Sequence, residues 1–235
     1  MQFFAEEFKD IICKSTEKTL LKIFEIGAVG TINDFYRWMK MYCQLAALAN
    51  QEIPGCLQKL TESDVRENIE LLQKKKLIAD TGKGFNEFGY LKQFPGFLKG
   101  EKTAYSLIGN LEFSPLQLVR SRLESFLVHF QANREDLTDL SIGVIEAAEN
   151  AVKYGDNGQI SIEYTLSDTN TFHIEITNPI KIEPVEENIK TGKFSEGFTL
   201  MRGIMAINKL FDHFDITRND ELKYVKFIAR KKLDL

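Results

Sequence analysis

Hydrophobic residues recur at helical spacing through most of the first 80 residues. The pattern predicts one helix over Leu20–Ile26, a second that begins after Asn33 as its N-cap, and a third over Ser63–Lys76. In the third helix, apolar residues fall at positions i, i+4 and i+7, so one face of that helix is expected to be buried. A short strand over Leu77–Ala79 and a group of glycines follow, which indicates a hairpin.

The second part of the chain alternates between helical and strand periods. A strand is expected over Ser106–Phe113, and Ser114 is expected to cap a helix that Pro115 opens. Another helix starts near Arg134. Two strands, Gln159–Leu166 and Thr171–Thr177, are separated by four polar residues, and so short a loop favours an antiparallel hairpin.

The last sixty residues extend this alternation. An irregular stretch is expected over Asn178–Glu196, a helix over Phe198–Leu210, and a final hairpin made of Phe214–Arg218 and Leu222–Lys231. Hairpins combined with helices indicate a two-layer α/β sandwich rather than a parallel doubly wound sheet. The predicted fold class is therefore α+β, with a mainly helical N-terminal domain.

The best candidate for a domain boundary is the stretch Gln93–Lys102, where a proline and two glycines interrupt both periods. We expect an N-terminal domain over 1–95, a linker over 96–105 and a C-terminal domain over 106–235. Charge follows the same division. Residues 1–105 carry 15 basic and 14 acidic side chains, whereas residues 106–235 carry 15 basic and 20 acidic ones.

Composition narrows the classes of protein. Of the 235 residues, 43% are hydrophobic and 27% are charged, which excludes a disordered or collagen-like chain. The net charge of −4 argues against coating nucleic acid by bulk charge. Three cysteines without a CxxC pair fit a reducing compartment, and no apolar run is long enough to cross a membrane. We therefore expect a cytoplasmic protein without a membrane partner.

The sharpest chemical motif is Glu146-Ala-Ala-Glu-Asn150, followed by Lys153-Tyr154-Gly155. Glu146 and Asn150 are four residues apart and so share one face of a helix. The amide oxygen of Asn150 can bind a hard cation such as Mg²⁺, which usually bridges to substrate phosphates. Glu146 can deprotonate an attacking hydroxyl. The same spacing also occurs on ordinary solvated helix faces.

This Glu-x-x-x-Asn element resembles the N box of the GHKL (Bergerat-fold) ATPases, and in particular that of the anti-sigma-factor serine kinases. The resemblance extends over about residues 107–233. It includes the order of elements and the stretch Gly197–Met205, which is similar to the second glycine box of the family.

The resemblance implies a histidine kinase-like ATPase domain that binds ATP and Mg²⁺. Asn150 would bind the magnesium, Glu146 would be the catalytic base, and Asn178 would lie beside the adenine. Gly197 would begin a helix that points at phosphate, assisted by Lys193 or Thr199, and the stretch Asn178–Glu196 would form a lid.

Two departures from the family pattern support a second hypothesis. The family reads D-x-G-x-G where this chain reads Thr177-Asn-Pro-Ile-Lys181, and Glu196 places an acidic residue before Gly197. Asn178 could accept a hydrogen bond from adenine, but it carries no charge. The alternative is a non-enzymatic protein-binding module that has lost its nucleotide.

The N-terminal order of helices and hairpin resembles a winged helix. The start of its third helix is expected to expose Glu62, Asp64, Arg66, Glu67 and Asn68. Three of these five are acidic, which opposes contact with DNA phosphates. A winged-helix transcription regulator therefore stays open but is not favoured over a surface that binds a protein. The leading hypothesis is a signalling regulator whose kinase-like domain phosphorylates serine or threonine and whose partner is a sigma factor or an antagonist protein. The sequence leaves a homodimer open.

Overall fold

The structure of the protein is a computed structural model, which describes residues 6–82, 87–90, 97–156, 158–179, 205 and 207–235. None of the helices within these ranges combines the length and the apolar composition that a membrane crossing requires.

The N-terminal part consists of helices packed around a hydrophobic centre. They are α1 (Phe8–Ile11), α2 (Thr16–Glu25), α3 (Ile32–Leu48), α4 (Gly55–Gln58) and α5 (Glu62–Lys74). Two short strands, β1 (Ile78–Asp80) and β2 (Phe88–Tyr90), pair antiparallel, and Gly30 bridges to Phe88 of β2. The three long helices and the hairpin follow the predicted order.

Helix α3 begins earlier than its sequence pattern predicts. Thr31, not Asn33, is the N-cap. Its hydroxyl accepts a hydrogen bond from the Asp34 backbone N–H, and the Asp34 carboxylate accepts one from the Thr31 backbone N–H. This reciprocal pair satisfies two backbone donors at the helix start, whereas a cap at Asn33 would leave them unpaired.

The C-terminal part is a five-stranded sheet covered by helices. Its elements are β3 (Thr103–Ile108), a 3-10 turn (Leu111–Phe113), α6 (Pro115–His129), α7 (Arg134–Tyr154), β4 (Gln159–Leu166), β5 (Thr171–Pro179), β6 (His213–Asn219) and β7 (Tyr224–Lys232). The strand order is β3-β4-β5-β7-β6, and all neighbours are antiparallel. The predicted α+β class and two-layer sandwich are confirmed.

The first strand of this sheet differs from its prediction over Ser106–Phe113. It begins at Thr103, and it ends at Ile108 because Ile108 pairs with Gln159, the first residue of β4. In the described part of the chain, the residues directly after Ile108 pair with no strand, and Leu111–Phe113 turn as a 3-10 helix. Ser114 makes no side-chain cap and adopts a left-handed φ of 50°. The expected role of Ser114 as a cap is therefore wrong, although Pro115 does open α6.

The two faces of the sheet differ in polarity. On β4 every second residue is buried, and the inward residues of β5 are Phe172, Ile174 and Ile176. The outer face carries ion pairs, with 2.6 Å between Lys102 and Glu163 and 2.6 Å between Lys226 and Glu175. The helices α6 and α7 therefore cover one face, and the other face is polar.

The N-terminal helices also pack against the sheet and helix α6. Buried apolar side chains from both parts form one continuous core. The expected division of the chain into domains over 1–95 and 106–235 stays a prediction.

Candidate functional site

Helix α7 carries both residues of the predicted N box. Its start is fixed by Asn133, whose side chain accepts a hydrogen bond from the Asp136 backbone N–H. Its buried face includes Val144, Ala147, Ala148 and Ala151. Small alanines let the helix lie close to the sheet, and this packing fixes the rotation of α7 about its axis.

Glu146 and Asn150 lie at the border between the buried and the exposed face of α7, and both are partly buried. Glu146 precedes the buried Ala147, and Asn150 precedes the buried Ala151. Because Glu146 and Asn150 are four residues apart, their side chains leave the helix on the same side, one turn apart. The next acidic residue, Glu149, forms an ion pair with Lys153 at 2.5 Å. Of the two carboxylates in the motif, Glu149 is therefore the one that is paired with a lysine of its own helix.

Glu146 lines an open groove between α6 and α7 with a volume of about 360 Å³. Arg120 and Glu124 of α6 line the groove as well, and Ile142 and Ile145 of α7 add apolar lining. Glu146 thus sits in a mixed apolar and charged cleft. Such a cleft can hold a polar ligand against one apolar wall.

Arg120 belongs to two adjoining grooves. The second has a volume of about 430 Å³ and is lined by Arg120, Glu149, Ser114 and neighbouring apolar residues. Sequence reasoning does not single out Arg120, because an exposed arginine on an amphipathic helix has no distinguishing pattern. Only the packing of α6 against α7 brings Arg120 into the same grooves as Glu146 and Glu149 of α7.

Asn178 lies within strand β5, not at the start of an irregular stretch as expected, because Asn178 and Pro179 pair with Val225 and Tyr224. The side chain is 6% exposed and follows the inward alternation of the strand. Its amide nitrogen donates a hydrogen bond to the Pro179 carbonyl oxygen at 3.1 Å. The same oxygen accepts a hydrogen bond from the Asp156 backbone N–H.

The end of α7 and the end of β5 meet at Gly155. A Cβ atom at this position would lie 2.4 Å from the Ala151 carbonyl oxygen and 3.3 Å from the Asn178 amide nitrogen. Only glycine fits so close an approach. The structure therefore places Asn178 next to Gly155, where α7 ends. Gly155 follows Asn150 by about five residues, or about 7.5 Å along the helix axis.

Three predicted site residues, Lys193, Gly197 and Thr199, lie outside the described residues. So does nearly all of the predicted lid over Asn178–Glu196, apart from Asn178 and Pro179. Most of the predicted helix over Phe198–Leu210 is likewise outside them, and residues 207–210 are helical.

The region that contains α6, α7 and most of the five-stranded sheet matches a known protein family. The family profile of the histidine kinase-like ATPase domain matches residues 112–229, which is half of the chain. The chain therefore belongs to the histidine kinase-like ATPase domain family. This confirms the family resemblance drawn from the Glu-x-x-x-Asn motif.

Among solved structures, the chain is similar to the RsbU and RsbW domains of Rv1364c from Mycobacterium tuberculosis. The sequence identity is 15% and the TM-score is 0.43, with 57% of this chain and 32% of that chain covered. The match thus spans about a third of the length of that protein's chain. No curated protein matches this sequence.

Proposed function

We propose that the C-terminal part binds ATP with Mg²⁺ and transfers the γ-phosphoryl group to a serine or threonine of a partner regulatory protein. The observation that carries this proposal is the position of Glu146 and Asn150 on one border of α7, with Asn178 at the strand end beside that helix. Membership of the histidine kinase-like ATPase family supports nucleotide binding as the general activity.

The donor types suit the proposed ligand. An asparagine amide oxygen is a hard ligand of the kind that Mg²⁺ accepts, so Asn150 would hold the metal. When bound, the ion would neutralise charge on the phosphates. The amide nitrogen of Asn178 is already hydrogen-bonded, which leaves its oxygen to accept a hydrogen bond from the adenine amino group.

Glu146 would act as the general base on the attacking hydroxyl. It lies in the α6–α7 groove, where a hydroxyl from a partner could approach it. Arg120, which also lines this groove, supplies positive charge. Lys193, Gly197 and Thr199 complete the proposed phosphate-binding set. The partner would be a sigma factor or its antagonist protein, and the cytoplasm is the proposed location.

A second candidate function is a protein-binding module without nucleotide. The observation in its favour is that no aspartate lies in the stretch Thr177–Lys181, so the neutral Asn178 would have to bind adenine without the charge that strengthens such a hydrogen bond. In this alternative, the winged-helix-like N-terminal part and the α6–α7 groove would both serve protein contacts. A transcription regulator is less favoured, because Glu62, Glu67 and Glu70 are exposed on α5.

Calorimetric titration with Mg²⁺ and ATP tests the proposal. We expect wild type to bind, Asn150→Ala to bind at least tenfold more weakly and to lose its dependence on Mg²⁺, and Glu146→Gln to bind like wild type. Asn68→Ala is the matched control, because Asn68 lies on α5 and bonds to the Asp64 carbonyl of its own helix. Absence of heat from wild type at millimolar nucleotide would overturn the proposal and leave the non-enzymatic alternative.

A further inference from the structure

Helix α6 has two sides that contact different parts of the molecule. Arg120 and Arg122 are two residues apart and so point about 200° away from each other. Arg120 is exposed in the groove that also contains Glu146, whereas Arg122 is 2% exposed and faces the N-terminal helices. One rigid element therefore joins the candidate site to the N-terminal part.

Arg122 is held by a carboxylate that lies 115 residues earlier in the chain. Its Nη1 and Nη2 atoms donate hydrogen bonds of 3.0 and 2.9 Å to the two carboxylate oxygens of Glu7, which directly precedes α1. Its guanidinium carbon lies 3.8 Å from the ring centre of Tyr105. A bidentate pair of this kind fixes both distance and orientation.

Three tyrosines surround this ion pair, one each from α3, β3 and β4. The hydroxyl of Tyr105 is buried without a hydrogen-bond partner in the described part of the chain, whereas the hydroxyls of Tyr42 and Tyr164 lie close enough to the Arg122 guanidinium for a hydrogen bond to it to lower their pKa. Burial raises the pKa of all three phenols, and the nearby Arg122 only partly opposes the rise. The tyrosines therefore stay neutral, and among the described residues Glu7 is the carboxylate that pairs with the buried Arg122.

The N-terminal part also holds the beginning and the far half of α6. The indole Nε1 of Trp38 donates to the Ser114 carbonyl oxygen at 3.1 Å, and Arg37 donates to the Ser114 hydroxyl at 3.3 Å. Ser114 is the left-handed residue before α6. Ser125 donates to the Gly27 carbonyl oxygen at 2.8 Å. Helix α6 is thus restrained at three levels along its length.

We propose that the N-terminal helical part is a regulatory latch on α6, closed by the Glu7–Arg122 ion pair, and that its release shifts α6 against α7 and reshapes the Glu146 groove. A buried arginine is tolerated only with its partner in place, so the docked state is lost as a unit when Glu7 leaves. The unpaired Tyr105 hydroxyl opposes docking, because an unpaired polar group costs free energy while it is buried. This inference goes beyond the proposed kinase activity and does not depend on nucleotide binding.

The test compares Glu7→Gln with Glu6→Gln, the same change at the preceding residue, where the carboxylate forms a half-exposed ion pair with Lys9. Trp38 is the single tryptophan of the chain and is fully buried at the contact, so its emission reports docking. For Glu7→Gln we expect a red-shifted, more quenchable emission and a melting temperature lower by about 6–12 °C. Glu6→Gln should match wild type.

Amide hydrogen exchange shows whether the loss of the Glu7–Arg122 ion pair changes α6 and α7, the two helices that form the Glu146 groove. In Glu7→Gln, the amides of α6 and α7 should exchange at least tenfold faster, while those of the β6–β7 hairpin should change little. Equal exchange in the Glu7 and Glu6 variants would overturn the latch. A uniform increase that includes the hairpin would overturn it as well, since that result reports general destabilisation only.

A milder pair of variants decides the question if Glu7→Gln does not fold. Ser125→Ala removes the bond from α6 to Gly27. Ser121→Ala removes a hydroxyl that bonds within α6, to the Leu118 carbonyl oxygen, and is also buried. We expect about threefold faster exchange in α6 and α7 for Ser125→Ala only. Identical exchange in the two serine variants would overturn the proposal.

Discussion

At the scale of single residues, helix α7 depends on a glycine that the sequence pattern does not explain. A Cβ atom at Gly143 would lie 2.5 Å from Cε2 of the buried Phe211. Gly143→Ala should lower the free energy of unfolding by about 1–3 kcal/mol through overpacking, although alanine favours the helix itself by about 1 kcal/mol. Urea denaturation measures the difference.

The control for this prediction is Gly55→Ala, because no heavy atom of the described residues lies within 4 Å of a Cβ atom at Gly55. This variant should be as stable as wild type or slightly more stable. If Gly143→Ala proved equally stable, α7 would not be packed against Phe211 as described, and the orientation of Glu146 would lose its structural basis.

At the scale of elements, the outer face of the sheet makes stability depend on pH. His173 of β5 lies opposite Arg230 of β7. Burial first, and then the charge of Arg230, lowers the pKa of His173 below its ordinary value of about 6.5, while Glu175 and Glu163 oppose the shift and Lys102 adds to it. The folded state therefore binds fewer protons than the unfolded state, so this contribution is complete above about pH 6.5 and is lost as the pH falls.

Melting temperatures at pH 7.5 and 5.5 test this dependence. Wild type should lose more stability over this interval than His173→Gln, and Arg230→Gln should lose an intermediate amount because it retains the burial but not the charge. Parallel losses in all three proteins would show that His173 does not titrate differently in the folded sheet.

At the scale of the whole molecule, the continuous core predicts cooperative unfolding. Trp38 fluorescence reports on the N-terminal part, and far-UV circular dichroism reports on all helices and strands. Since buried side chains of both parts pack together, the two signals should give the same urea midpoint. A fluorescence transition well below the dichroism transition would instead indicate two independently stable domains.

Local sequence patterns were sufficient to predict much of this fold. The alternation along β4 and β5 predicted the hairpin, and the Glu146–Asn150 spacing correctly placed both side chains on one border of a helix, because these periods follow from backbone geometry alone. The cap of α3, the end of β3 and the strand position of Asn178 were less predictable. Each depends on which partner satisfies a backbone group.

The sequence by itself determined the family, the two-layer architecture and the candidate N-box residues, since each of them follows from the spacing of residues that are close together in the chain. Only the tertiary structure decided that Arg120 and Glu146 line the same groove, and that Arg122 on the same helix pairs with Glu7, 115 residues away. The physical reason is that a buried charge pairs with an opposite charge that lies close to it in the folded protein. The spacing of residues along the chain does not show which distant residue that will be.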